Sequence, residues 1–311
     1  MSREFLLSEK YRPQKISDCI LPDRLKKVFQ EYVNRKTIPN LMLTGTAGVG
    51  KTTAAIAMCE EIGLDYIFIN SSEERGIDTL RTKIRGYAST VSFSGSQKVI
   101  ILDEADYITP EAQAALRGAI EEFSSNCSFI FTCNYKNKII EPLHSRCAVV
   151  DFTINGKQKP AIAASFFKRL GTILEAEGIK YDPKVLVEII NQHFPDWRRI
   201  LNECQRYSAG GSIDTGILSI LSNVNTKELV GYLFKKEFPN VRKWIVQNLD
   251  NDPNTILRNI YDCIYDALKP NSIPEAVLII AKYQYQTAFV ADQEINLLAA
   301  LTEIMCNCEF K

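Results

Sequence analysis

Apolar residues follow two rhythms along this chain. Between positions 41 and 152 they gather in short unbroken runs, Leu41 to Thr44, Tyr66 to Ile69, Val99 to Leu102, Phe129 to Cys133 and Ala148 to Phe152. Runs without alternating polar positions predict strands covered on both faces, as in a parallel sheet. Between them lie stretches of helical spacing: an Ala-rich segment that stops at Gly63, a helix over about Ile77 to Ser89, and one from Pro110 to Phe123 with Thr109 as its N-cap. Strands alternating with helices predict an α/β domain over residues 1–152. Beyond Phe152 the spacing is helical, punctuated by Gly156, Pro160, Gly178, Pro183 and the Gly210-Gly211-Ser212 turn, then by Pro239, Pro253, Pro270 and Pro274. This part divides into an α-helical domain over 153–222 and a second one over 223–311.

Composition narrows the class. The 311 residues are 46% apolar, with 37 Lys+Arg against 37 Asp+Glu, so a nucleic-acid surface has to be a local patch rather than a general charge. No apolar run reaches the roughly 18 residues of a membrane span, and MSREFLLSEKYRP is no secretory leader, which points to a cytoplasmic protein. The nine cysteines form no CxxC pair and only two histidines accompany them, so reduced thiols are expected rather than disulfides or zinc.

Two motifs carry chemistry. Gly45-Thr-Ala-Gly-Val-Gly-Lys51-Thr52 matches G-x-x-x-x-G-K-[ST] between a strand and a helix. Backbone N–H groups at Gly45, Gly48, Val49 and Gly50, with Thr53 following, are placed to surround phosphate oxygens; Lys51 reaches the β- and γ-phosphates and Thr52 ligates magnesium. The strand Val99 to Leu102 delivers Asp103 to the magnesium shell and Glu104 to the attacking water, so hydrolysis of a nucleoside triphosphate is expected. The letters D-E-A-D at 103–106 invite an RNA-helicase reading, but such enzymes need a second α/β domain and no segment supplies one. Asn134, ending the run from Phe129, fits a contact to water or γ-phosphate and a turn-forming strand end equally well.

The order Lys10-Tyr-Arg-Pro13, the Gly45–Thr52 loop, Asp103-Glu-Ala-Asp106, Thr132-Cys-Asn134, Ser145-Arg-Cys147 and Phe194-Pro-Asp-Trp-Arg198-Arg resembles that of the AAA+ clamp-loader ATPases, which include the large subunits of T4-type phage loaders and the small subunits of replication factor C. The resemblance implies an AAA+ P-loop domain, a helical lid and a helical collar, with ATP and Mg2+ as ligands. It implies that Lys10, Tyr11, Arg12 and Ile20 line an adenine pocket, that Asn134 is a first sensor and Arg198 a second sensor on the lid, and that Arg146 acts in trans on ATP held by a neighbouring subunit. By its residue type alone, Arg198 is equally a solvated helix position and Arg146 an ordinary surface arginine.

In that family two helices face DNA inside the assembly. Here the candidates are Arg81 with Arg85, and Gln113 with Arg117, each pair four residues apart on a helix. The implied partners are further ATPase copies, a small non-ATPase subunit, a sliding clamp and primer-template DNA, with no membrane. The modest length fits a phage protein working in the bacterial cytosol. Two rival readings remain: another AAA+ DNA-remodelling ATPase, and a scaffold subunit that binds nucleotide without turnover.

Overall fold

A computed structural model describes residues 6–74, 76–90, 97–209, 211–215, 226–249 and 253–311. The chain forms two compact units that divide between Thr215 and Gly216. The expected boundary at 222/223 lies outside the described residues.

The first unit opens with α1 (Leu7–Lys10) and α2 (Asp23–Arg35). Then follow β1 (Leu41–Thr44), α3 (Lys51–Ile62), β2 (Tyr66–Asn70), α4 (Ile77–Ala88), β3 (Lys98–Asp103), α5 (Pro110–Glu122), β4 (Cys127–Cys133), α6 (Glu141–His144) and β5 (Ala148–Asp151). All five strands are parallel, in the order β2-β3-β4-β1-β5. The period of two along each strand sorts its side chains to opposite faces. Leu41, Leu43, Val99, Ile101 and Ile130 meet Phe29 of α2 and Ala54 and Met58 of α3. Met42, Ile100, Leu102, Phe129 and Phe131 meet Leu80 and Ile84 of α4 and Leu116 and Ile120 of α5. Each of these side chains larger than alanine contributes roughly 1.5–3 kcal/mol by leaving water.

Coverage on both faces holds for the three inner strands and fails at the two edges. β2 keeps Phe68 exposed and β5, at the opposite edge, keeps Val149 exposed. The sequence boundaries for β2, β3 and β4 are short by one or two residues, the omitted positions being polar or small ends of the ladder: Asn70, Lys98, Asp103, Cys127 and Ser128.

The unit continues through α7 (Lys159–Ala176), β6 (Lys180–Tyr181), α8 (Pro183–His193), α9 (Trp197–Ser208) and β7 (Ser212–Ile213). β6 and β7 form a two-residue parallel pair too short to leave a sequence pattern. Asp182 and Asp196 cap α8 and α9 by accepting the Lys184 and Arg199 N–H groups.

The second unit comprises α10 (Thr226–Phe234), α11 (Phe238–Asn248), α12 (Pro253–Ala267), α13 (Ile273–Gln286) and α14 (Gln293–Asn307). The stripe Ile256, Ile260, Ile264 and Leu268 is buried, as are Leu297 and Leu301. Asp292 caps α14 through the Ile295 N–H. Among the described residues no helix is long and apolar enough to cross a membrane, and all nine cysteines are free.

Candidate active site

The chemistry gathers where β1, β3 and β4 end, at the rim that open parallel sheets present to ligands. Past Thr44 the chain turns through Gly45, which donates its N–H to the Cys133 carbonyl, and enters α3 at Gly50. Gly48 (φ 73°) and Gly50 (φ 92°) lie in the left-handed region, where a side chain would be strained. Gly48 has a second reason to be glycine: a Cβ there would collide with Asp196, and its carbonyl accepts the Trp197 N–H at 3.1 Å. The lid helix α9 therefore begins directly on the phosphate loop.

Lys51 is 8% exposed. Its Nζ donates to the carbonyls of Gly45 (2.7 Å) and Thr46 (2.8 Å) and to Asn134 Oδ1 (2.8 Å). Burial pulls its pKa below the ordinary lysine value; Asp103 and Asp106 push the other way, and the charge of Arg198 adds to the lowering. Asp103 Oδ1 accepts the hydroxyls of both Thr52 and Thr132 at 2.6 Å. Glu104 sits in left-handed backbone (φ 53°, ψ 44°), with its N–H donated to Thr132 Oγ1 at 3.1 Å. Asn134 is tied back by its N–H to Asp106 Oδ1 at 3.3 Å.

These groups open into a cleft with about 1070 Å³ of empty volume. Its lining includes Gly48, Val49, Gly50, Lys51, Thr52, Thr53, Asp103, Glu104, Asn134 and Arg198. Apolar side chains of Ile20, Leu21, Phe166, Ile173, Trp197 and Leu201 also line it, with the Phe166 and Trp197 rings stacked at 4.4 Å. A glycine-bounded loop with a buried cation, paired oxygen ligands at Thr52 and Asp103, and an apolar wall beside them fit a magnesium nucleoside triphosphate.

Tyr11, Arg12 and Ile20 lie in the cleft wall, and Lys10 does not. Its ammonium turns to Glu177, near the C-terminus of α7, at 2.6 Å, where the Tyr11 hydroxyl is also bonded. A long cation close to a lid carboxylate is better satisfied there than against an apolar wall. Gly45 also stands behind the lining, where its carbonyl holds Lys51. Arg169 escaped the sequence reading. From α7 it lines the cleft and donates to the carbonyls of Tyr11 and Asp18, each at 3.0 Å, fastening the N-terminal segment to the lid. No motif marks it, since both partners lie more than 150 residues away. Thr132, quoted in the motif order, had no role assigned.

Arg146 lies at the other rim. It precedes β5 by two residues, and Ala148 of β5 is level with Leu41, the first residue of β1, so about 10 Å of strand separates it from the cleft rim. Its Nε donates to Glu121 Oε1 at 2.9 Å and its Nη1 to the Pro142 carbonyl at 2.9 Å. The contact holds the Glu121 carboxyl below the usual range. Arg146 is absent from its own cleft wall.

Of the DNA candidates, Arg81 and Arg117 are exposed, and Arg85 is exposed with an ion pair to Glu122 at 3.3 Å. Gln113 is a correction. It is 1% exposed, donates to the carbonyls of Ile108 and Lys138 and accepts the Ile140 N–H, so it is buried beneath a loop rather than displayed beside Arg117. Two backbone groups of that loop and the Ile108 carbonyl before α5 need partners away from water, and the amide meets them.

Comparison with known proteins gives the arrangement its relatives. Residues 41–153 match the model of the ATPase family associated with various cellular activities (AAA). Residues 159–219 match that of the sliding-clamp-loader large subunit, AAA+ ATPase lid domain. The chain is 33% identical to the sliding-clamp-loader large subunit of Enterobacteria phage T4, over 99% of this chain and 98% of that one. It is 32% identical to the Escherichia phage RB69 large subunit, over 100% and 98%. With the replication factor C small subunit of Methanothermobacter thermautotrophicus it shares 37% identity over 71% and 69%. With the phosphate loop, the acidic strand end and the lid in place, and relatives matched from end to end, this chain is an AAA+ ATPase of the sliding-clamp-loader family.

Proposed function

We propose that this chain is the hydrolysing subunit of a loader that opens a sliding clamp when ATP binds, places it on primer-template DNA, and releases it closed when ATP is cleaved. The carrying observation is the separation of Arg146 from its own cleft by the depth of the sheet. That placement supports a site completed by two copies, one giving the phosphate loop and the other the arginine.

Within a copy, Lys51 and the loop amides hold the phosphates, Asn134 and Arg198 contact the γ-phosphate end, and Glu104 takes the proton of the attacking water. Thr52 and Asp103 would hold magnesium, which would supply positive charge beside the phosphates. Tyr11, Arg12 and Ile20 border the base, with Arg169 holding their segment in place. Arg81, Arg85 and Arg117 track the phosphate backbone of DNA without reading bases. Gln113 contributes indirectly, by fixing the loop that bears the exposed Lys136 and Lys138. The C-terminal unit serves as the collar, and a small non-ATPase subunit completes the assembly. The site holds both Glu104 and Lys51, which favours turnover over an inert scaffold.

The test is a mixing experiment with clamp, primer-template DNA and the partner subunit present. Lys51→Ala and Arg146→Ala proteins are each expected to be inactive alone, since a trans arginine supplies ~10³ to ~10⁵ in rate. Mixed in one assembly, they regain part of the wild-type turnover, because some interfaces pair an intact cleft with an intact arginine. Mixed assemblies that form and stay inactive would defeat the trans role.

A further inference from the structure

We propose that Thr132 is a positioning residue for hydrolysis, its single hydroxyl, oriented by the carboxylate of Asp103, setting the backbone of Glu104. The inference rests on the roles of Glu104 and Asp103 given above. Thr132 is 2% exposed and follows Phe131, which pairs with Leu102, so it stands level with the end of β3. A hydroxyl has one proton to give and lone pairs to accept with. Here the proton goes to Asp103 Oδ1 at 2.6 Å and a lone pair takes the Glu104 N–H at 3.1 Å.

Glu104 is where this matters. Its φ of 53° places a residue with a Cβ in a sparsely populated region, a conformation kept only when the surroundings over-determine it. Two bonds do so: the N–H to Thr132, and the carbonyl accepting the Tyr107 N–H at 3.0 Å. The turn they fix takes the chain out of β3 and leaves Glu104 in the cleft wall. Without the hydroxyl, one of the two restraints is lost and the residue can relax toward negative φ, carrying its carboxylate away from the water it activates. A misplacement of about 1 Å can cost ~10²-fold in rate. The competing view makes Thr132 a space-filler in a buried strand, for which the hydroxyl is incidental.

The test uses the full chain in the assembly that supports wild-type turnover. Thr132→Val keeps the shape and removes the hydroxyl; Thr132→Ser keeps the hydroxyl and removes a methyl. For Thr132→Val we expect turnover at saturating ATP and Mg2+ to fall ~10- to ~100-fold, a part of what a general base supplies. Affinity for a fluorescent ADP should stay within about threefold. Thr132→Ser should recover most of the rate. In a Glu104→Gln background Thr132→Val should add little further loss, since a residue acting through Glu104 has nothing left to position. Wild-type turnover in Thr132→Val, a Thr132→Ser as slow as it, an affinity loss that matches the rate loss, or full multiplicative losses in the double variant would each overturn the proposal. Glu104→Gln turning over like wild type would instead remove the role of Glu104 itself, and Thr132's with it.

Discussion

The two units bury different kinds of group. The first encloses Lys51, Lys98, Asp106, Gln113 and Thr132; the second, among its described residues, encloses only Asn248, Ser272 and Asn296 as polar side chains, none of them ionisable. Each of those three bonds backbone: Asn248 to the Trp244 carbonyl, Asn296 to the Tyr283 carbonyl, Ser272 to the Glu309 N–H. A buried charge is costly unless partnered, so it survives where something depends on it. Lys98 limits that lesson. It gives its ammonium to Tyr87 and Thr90 oxygens far from the cleft wall, a satisfied charge that only fastens β3 to the end of α4. Burial of charge points to chemistry when the partners are themselves at the strand-end rim.

This contrast requires the units to fail differently. The largest effect is expected from Glu104→Gln, with turnover lower by ~10² to ~10⁴ and an unchanged urea midpoint; a shift in both would blur the distinction. Leu301→Ala, at a fully buried position, should lower unfolding free energy by ~2–5 kcal/mol while a fluorescent nucleotide titration shows the cleft unaffected. Coupled loss of nucleotide affinity would mean that the second unit does more than pack. Gln113→Ala, which orphans three backbone groups, should cost ~1–3 kcal/mol in urea unfolding; a neutral result would return Gln113 to the surface role that sequence suggested. Smallest is a reactivity contrast in the native protein. Cys19, Cys59, Cys147 and Cys204 are buried, with pKa values pushed up to about 12 by burial, whereas Cys306 is exposed. Thiol labelling at pH 8 should therefore mark Cys306 rapidly and those four only on unfolding.

The strands and the phosphate loop were legible because each is written locally, as an apolar run or a fixed spacing. The edges of the sheet were not, since nothing in Tyr66 to Ile69 states which strands lack a neighbour. Gln113 was misread for a similar reason: helical spacing sets it four residues before Arg117, but the loop at 138–140 that covers it comes from another part of the chain. Lys10, Arg169 and Thr132 share that difficulty. Their partners, Glu177, Asp18 and Glu104, are distant in sequence, and a polar side chain alone does not announce which carbonyl or carboxylate it will meet.

One consequence of placing Arg146 and the phosphate loop on opposite rims concerns symmetry. If the arginine of one copy completes the cleft of the next through a surface separate from its own cleft, the copies join head to tail rather than about a two-fold axis, and the contact repeats with every copy added. Such an array closes only if its rotation happens to return to the start. When it stays open, a row of n copies holds n − 1 complete sites, with an unused arginine at one end and an uncompleted cleft at the other. The ends of the row then differ from its middle although every chain is identical, so a single sequence yields distinct positions for unlike partners to occupy.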